Sequence, residues 1–214
     1  MMRIAVDGPS GAGKSTVARR IADRLGIDYI DTGAMYRAVG YKLLKEGVSL
    51  ENTEAVQELL DRTEIDFSNG KIFLDGEDVS GLIRTQEIAG QASACSAIGI
   101  VRTKLVDLQR KMGREKSVIM DGRDIGTNVF PDAEYKFFIT ASAEERARRR
   151  CEELKAGGQE AEPEQILAAI RKRDHDDSTR AINPLRKADD AVEIDTTHMS
   201  IDEVTDYICR EMNR

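Results

Sequence analysis

The chain has 214 residues, 40% of them hydrophobic, and a formal net charge of −7. That content can bury a substantial core in one domain with insertions, and the acidic balance argues against a general duplex-binding surface, which needs a basic excess to neutralise phosphates. Three cysteines, Cys95, Cys151 and Cys209, lie far apart without C-x-x-C spacing, which signals neither a zinc site nor a disulfide framework. Residues Met1 to Ser10 lack a secretory apolar region and no apolar run reaches about 18 residues, so the expectation is a cytoplasmic protein with no membrane or nucleic-acid partner.

The first predicted element is a strand, Arg3 to Asp7, followed directly by Gly8-Pro9-Ser10-Gly11-Ala12-Gly13-Lys14-Ser15, a complete G-x-x-x-x-G-K-[ST] loop, with Thr16 next. Glycines allow successive N–H groups to turn inward around phosphate oxygens, while Lys14 can reach the β/γ-phosphates and the Ser15 hydroxyl is placed for Mg²⁺. Val17, Ile21 and Leu25, four apart, predict the helix this motif requires. The chain is therefore expected to hold a nucleoside triphosphate.

Further strands are predicted at Asp28 to Asp31, Ser117 to Asp121, Tyr135 to Thr140 and Ala191 to Asp195, alternating with helical patterns. That alternation indicates an α/β fold with a mainly parallel sheet. Residues 64 to 83 break the rhythm: Glu64 to Phe67, the turn Ser68-Asn69-Gly70, Lys71 to Leu74 and Asp75-Gly76 predict a small β-meander. Ser142 with Glu145 and Ser200 with Glu203 have capping-box spacing, and Pro163 suits a first helical turn, which sets helices at 142–156, 163–178 and 200–212. Lys155 to Gln159, with two glycines, joins two charged helices, either as an ordinary loop or as a mobile flap.

Arginines cluster in four places: Arg37, Arg123, the run Arg146, Arg148, Arg149 and Arg150, and the group Arg171, Arg173 and Arg180. Guanidinium groups stay charged and present a planar fork to phosphate oxygens. Arg123 follows the apolar strand Val118-Ile119-Met120, so it is expected at the carboxyl edge of the sheet, where open α/β folds bind ligands. The 146–150 run can be a solvated face pairing with Glu144, Glu145, Glu152 and Glu153, or it can supply an arginine, among Arg146, Arg149 and Arg150, to the transferring phosphoryl group.

Taken together, Asp7 to Lys14, Asp31-Thr32-Gly33-Ala34-Met35-Tyr36-Arg37, Gly76 to Ser80, Ile83 to Glu87, Asp121-Gly122-Arg123-Asp124-Ile125-Gly126-Thr127 and Arg173-Asp174 through Arg180 resemble the bacterial cytidylate kinases, of the nucleoside monophosphate kinase group of P-loop proteins. The resemblance spans nearly the whole chain. It implies a P-loop kinase fold, an α/β fold with a five-stranded parallel sheet flanked by helices, a small antiparallel insertion and a short lid. The implied parts are a core of residues 1–32, 116–146 and 161–214, a monophosphate-binding insertion at 33–115 and a lid at 147–160.

The implied reaction is ATP with CMP or dCMP giving ADP with CDP or dCDP, with Mg²⁺, in a monomer. Carried over residue by residue, Lys14 acts on the donor, Arg37, Arg123 and Arg180 grip the acceptor phosphate, and Arg149 and Arg150 serve the transferring group. Ser93, Arg102 and Asp124 read the cytosine, Arg173 and Asp177 lie at the sugar, Thr32 lies near the substrate, and Asp121 belongs to the constellation without a fixed role. Thr32 stands where close relatives often have Ser, and Ser15 where some have Gly. The helix expected from Thr85 through Arg110 aligns less firmly than the motifs.

An ionised monophosphate oxygen needs no general base, only charge neutralisation and in-line alignment, so the abundance of arginine suits this acceptor better than a neutral hydroxyl. Cytosine offers an amine that Asp124 can accept and ring acceptors that Arg102 can satisfy, whereas uracil inverts both. Kinases acting on UMP, dephospho-coenzyme A or shikimate are the competing enzymes, and a nucleotide-binding regulator is the competing class.

Overall fold

The computed structural model describes residues 1–68 and 70–213; Asn69, in the centre of the predicted turn, and Arg214 lie outside the described residues. In chain order the elements are β1 (Arg3–Asp7), α1 (Lys14–Leu25), β2 (Asp28–Asp31), α2 (Thr32–Lys45), α3 (Thr53–Asp61), β3 (Ile65–Ser68), β4 (Lys71–Leu74), β5 (Glu77–Asp78), α4 (Gln86–Cys95), α5 (Gly99–Glu115), β6 (Val118–Gly122), β7 (Tyr135–Thr140), α6 (Ala143–Ala156), α7 (Pro163–Thr179), β8 (Val192–Asp195) and α8 (Ile201–Met212). The chain divides into two compact units, Met1–Tyr29 with Lys116–Arg214, and Ile30–Glu115.

The first unit is built on a five-stranded parallel sheet in the order β2-β6-β1-β7-β8. Val6 of β1 lies opposite Asp121 on one side and Phe137 on the other, so the ends of three strands reach one edge together. The inner strands β1 and β6 are almost continuously buried, as expected when helices cover both faces, while the edge strands β2 and β8 alternate with charged residues. Ile4, Val6, Ile119, Phe137 and Ile139 pack with Val17, Ala18 and Ile21 of α1 and with Val204 and Ile208 of α8. Leu25 departs from the predicted apolar stripe and is 40% exposed. It is the last residue of α1, beyond the cover of the sheet, and Gly26 caps the helix immediately after it.

Helix starts follow the predicted signals. Ser142 accepts a hydrogen bond from Glu145 N, and Ser200 forms a full reciprocal capping box with Glu203. The 155–159 segment is an ordered cap: Gln159 N donates to Leu154 O at 2.9 Å and Gly158 N donates to Lys155 O at 3.0 Å, the bonding pattern of a Schellman motif. Gly158 occupies the left-handed position this motif needs, at φ 73°.

In the second unit, β3, β4 and β5 form the predicted antiparallel meander. Buried side chains from α2 (Met35, Val39, Leu43), α3 (Leu59, Leu60), β4 (Ile72, Leu74) and α5 (Leu105) supply its core. Lys42 is buried there with its charge answered by Asp75 at 2.5 Å and by Arg62 O at 3.0 Å. The single helix expected from Thr85 to Arg110 is instead two, α4 and α5, broken at Ser96 to Ile98. Ser96 Oγ donates to Ser93 O at 2.8 Å, tight turns bring Ala97 N to Ala94 O and Ile98 N to Cys95 O, and Arg102 donates to Ser96 O at 3.3 Å. The last helical carbonyls thus find partners that end the helix.

Candidate active site

The loop Gly8 to Gly13 leaves the carboxyl end of the central strand β1 and enters α1 at Lys14. This is the topological switch point of the sheet, because β6 and β7 flank β1 on opposite sides. Gly8 is dictated by packing, since a Cβ there would lie 1.9 Å from Ile139 O. Gly13 is the cap residue of α1 and offers no side-chain cap, so the first-turn N–H groups face the loop without a competing side-chain acceptor from it.

Lys14 is buried and donates Nζ to Pro9 O at 2.7 Å. Burial brings its pKa down to about 7, helped by the positive charge of Arg123 and opposed by Asp121 and Asp7. Ser15 is exposed, and its hydroxyl donates to Asp121 Oδ2 at 2.8 Å, while Tyr29 donates its phenol to the other oxygen of Asp121, also at 2.8 Å. Thr16 is exposed on the next turn position. Asp7 is buried at the end of β1 and accepts N–H bonds from Ile125 at 2.8 Å and Gly126 at 2.7 Å. Burial pushes it up to about 6 against the downward pull of those two bonds.

Arg123 follows β6 directly, at the carboxyl edge, and pairs through Nε with Asp177 of α7 at 2.8 Å. Burial alone would raise Asp177, but Arg123, Arg173 and Arg180 outweigh it and hold the carboxyl below its ordinary range. Arg180, just past the end of α7, reaches Asp124 Oδ1 at 3.3 Å and donates to Asn183 O, and Asn128 donates to the other oxygen of Asp124 at 3.1 Å. One cluster in the first unit therefore gathers Lys14, Ser15, Asp121, Arg123, Asp124, Arg173, Asp177 and Arg180, all anticipated from sequence.

On α6, Arg149 donates to Glu145 Oε1 at 2.8 Å and to Thr196 O at 2.7 Å, and Arg150 pairs with Glu153 at 3.1 Å on the exposed side. Arg148 pairs with Glu145 and Glu152, so this arginine is part of the solvated face that the sequence also allowed. The hydrogen bond from Arg148, with one from Arg149, takes Glu145 down to about 2.

Within the second unit, Asp31 caps α2 by accepting from Ala34 N at 2.8 Å and holds Arg37 at 2.9 Å with its other oxygen. Thr32, the first residue of α2, is buried. Ser93 lies on α4, and Arg102 of α5 is buried with its guanidinium 5.8 Å from the Tyr36 ring centre. Cys95 is an inert core thiol, pushed up to about 12 by burial.

A family model described as cytidylate kinase matches residues 4–214. The chain belongs to the cytidylate kinase family. It is 52% identical to a cytidylate kinase of Caldanaerobacter subterraneus over 97% of this chain and 92% of the relative. Cytidylate kinases of Clostridioides difficile and Bacillus subtilis are each 49% identical, over 98% and 97% of this chain and 97% and 94% of the relatives. Among solved structures, a shikimate kinase from Bacteroides thetaiotaomicron superposes with TM-score 0.51 at 12% identity, covering 100% of this chain and 99% of the other, a likeness of fold alone.

As a cytidylate kinase family member the chain is an enzyme, a nucleoside monophosphate kinase that phosphorylates CMP. Its substrates are small molecules, and among the described residues no helix is long and apolar enough to cross a membrane. Sequence reasoning did not single out Tyr29 or Thr196, whose side chains meet Asp121 and the phosphate loop because the strand order sets β2 beside β6 and Thr196 follows β8. Arg146 is one of the three arginines weighed for the transferring phosphoryl; its Nε donates to Ala141 O at 2.9 Å and its Nη1 to Ser10 O, in the phosphate loop, at 3.1 Å.

Proposed function

We propose that the enzyme transfers the γ-phosphoryl group of ATP in line to CMP and dCMP, giving ADP with CDP or dCDP. The observation that supports this most is electrostatic: the buried Lys14 ammonium of the donor loop lies in the repulsive field of Arg123 and Arg173. Asp121 and Asp7 offset part of that field, and cations gathered in a buried place suit a reaction in which both partners are polyanions.

The donor triphosphate is assigned to Gly8 through Thr16, with N–H groups around the phosphates and Lys14 on the β/γ-oxygens. Mg²⁺ suits Ser15 and Asp121, whose hard oxygens lie 2.8 Å apart; among the described residues no larger carboxylate or histidine cluster could hold a metal, and Mg²⁺ needs few protein ligands when phosphates supply the rest. When bound, it neutralises charge on the triphosphate oxygens. Tyr29 then acts by orienting the Asp121 carboxylate.

Arg37, Arg123 and Arg180 are assigned to the acceptor phosphate, Ser93, Arg102 and Asp124 to cytosine, Arg173 and Asp177 to the sugar, with Thr32 beside the substrate. Arg149 and Arg150, in a lid of residues 147–160, are assigned to the transferring group, and residues 33–115 are assigned as the monophosphate-binding insertion. No base is required, since the attacking phosphate oxygen is already ionised, and the residues align and neutralise. Anion-exchange analysis of a reaction with Mg-ATP and CMP should give ADP and CDP in equal amounts. ADP without CDP would mean that water is the acceptor and would overturn the proposal.

A further inference from the structure

A phosphate loop can turn its N–H groups inward only by turning carbonyls outward, and each outward carbonyl then needs a donor. Pro9 O is met by Lys14 at 2.7 Å, Ala12 O by the Thr196 hydroxyl at 3.3 Å, and Ser10 O by Arg146 at 3.1 Å. The third of these does more than fill a vacancy in the hydrogen bonding. Arg146 also donates Nε to Ala141 O at 2.9 Å and grips Asp174 with two bonds, at 2.9 and 2.6 Å.

Four of its five N–H groups are thereby engaged, and its side chain is only 5% exposed. Its methylenes run 3.5 Å from where a Cβ on Gly11 would sit. A group so occupied has little left for a transferring phosphoryl. Asp174, in turn, adjoins Arg173 and stands one turn before Asp177 on α7, the helix after which Arg180 emerges.

We propose that Arg146 and Asp174 are a positioning pair that couples the donor-phosphate loop to the helix carrying the acceptor-side charges. The pair touches no substrate. It fixes the loop from behind and sets α7 against it, so that Lys14 on one side and Arg173, Asp177 and Arg180 on the other keep the separation that in-line transfer demands. A bidentate guanidinium–carboxylate fork defines distance and angle together, which a lysine cannot do. Stability alone gives little reason for it, because Asp174 is 29% exposed and an ion pair open to water on one side contributes little.

This inference rests on assigning the loop to the donor triphosphate. The test uses the full-length enzyme carrying Arg146→Lys, Asp174→Asn or both, with steady-state kinetics about 20 °C below each variant's Tm and direct calorimetry of ATP binding. Misplacement by about 1 Å can lower transfer about 100-fold, so kcat should fall about 10–100-fold in each single variant, with weaker ATP binding. The double variant should be no worse than the poorer single one, because the two residues act as a unit.

A merely structural pair would lower Tm and leave kcat within about twofold of wild type under those conditions, and that result, or additive losses, would overturn the proposal. Should the single variants fail to fold, Arg146→Met with Asp174→Leu removes both charges together; a folded double variant with wild-type kcat is equally fatal to it. Failure of the wild-type enzyme itself to bind ATP would overturn the donor-site assignment, a separate outcome.

Discussion

The Lys14 ammonium is held in a setting that disfavours charge, first by burial and then by Arg123, which together bring it from the ordinary 10.5 to about 7. Because the folded-state value is the lower one, the penalty on stability is full below about pH 7, shrinks as pH rises from 7 towards 10.5, and vanishes above that. In nucleotide-free enzyme Lys14→Met should therefore abolish transfer yet raise stability at about pH 6, by roughly 2–4 kcal/mol after the lost bond to Pro9 is set against the gain. Thermal melts at about pH 6 and pH 9 check this, with a smaller gain expected at the higher pH. Equal gains at both would mean that the lysine is not strained electrostatically. The loop itself was legible residue by residue, since its glycines and Lys14 serve local backbone and charge needs. Tyr29 and Thr196 were not, because nothing in an aromatic or a threonine at a strand end tells which carboxylate or carbonyl the sheet will bring to it.

Among the elements, those with local instructions appear where the sequence places them. Strands β1, β2 and β7 match their predicted bounds, while β6 and β8 each begin one residue later and β6 extends through Gly122. Ser200 shows what such a local instruction does: its Oγ accepts Glu203 N at 3.3 Å while Glu203 accepts Ser200 N at 2.8 Å, starting α8, which then buries Val204 and Ile208 in the sheet core. Ser200→Ala should destabilise by about 1 kcal/mol, lowering Tm by roughly 2–4 °C, with kcat per folded enzyme unchanged. Calorimetry with parallel assays would show it. The break between α4 and α5 carried no such signal, since Ser96, Ala97 and Ile98 are tolerated in a helix and the interruption comes from bonds to Ser93 and Arg102. The exposure of Leu25 likewise depends on where the sheet ends, which helical periodicity does not encode.

At the scale of the molecule, strand order brings distant segments to one sheet edge in the first unit: the loop after β1, Asp121 to Asp124 at and after β6, and Thr196 after β8. α7 adds Asp177 and Arg173, and Arg180 follows it. Family membership gives phosphoryl transfer to CMP; in the proposed reading, the choice of base is assigned to Asp124, Arg102 and Ser93. Asp124 is buried and accepts from Arg180 and Asn128, so its carboxylate is fixed in place. A fixed acceptor rewards the cytosine amine and opposes the uracil carbonyl, an inversion that leaves a buried group unsatisfied, at about 1–3 kcal/mol. The most direct test of the account is kcat/KM for each ribo- and deoxyribonucleoside monophosphate with Mg-ATP in one coupled ADP-release assay. CMP and dCMP should lead, with UMP lower by about one to two orders of magnitude; equal values for CMP and UMP would contradict the assignment of the cytosine-reading residues.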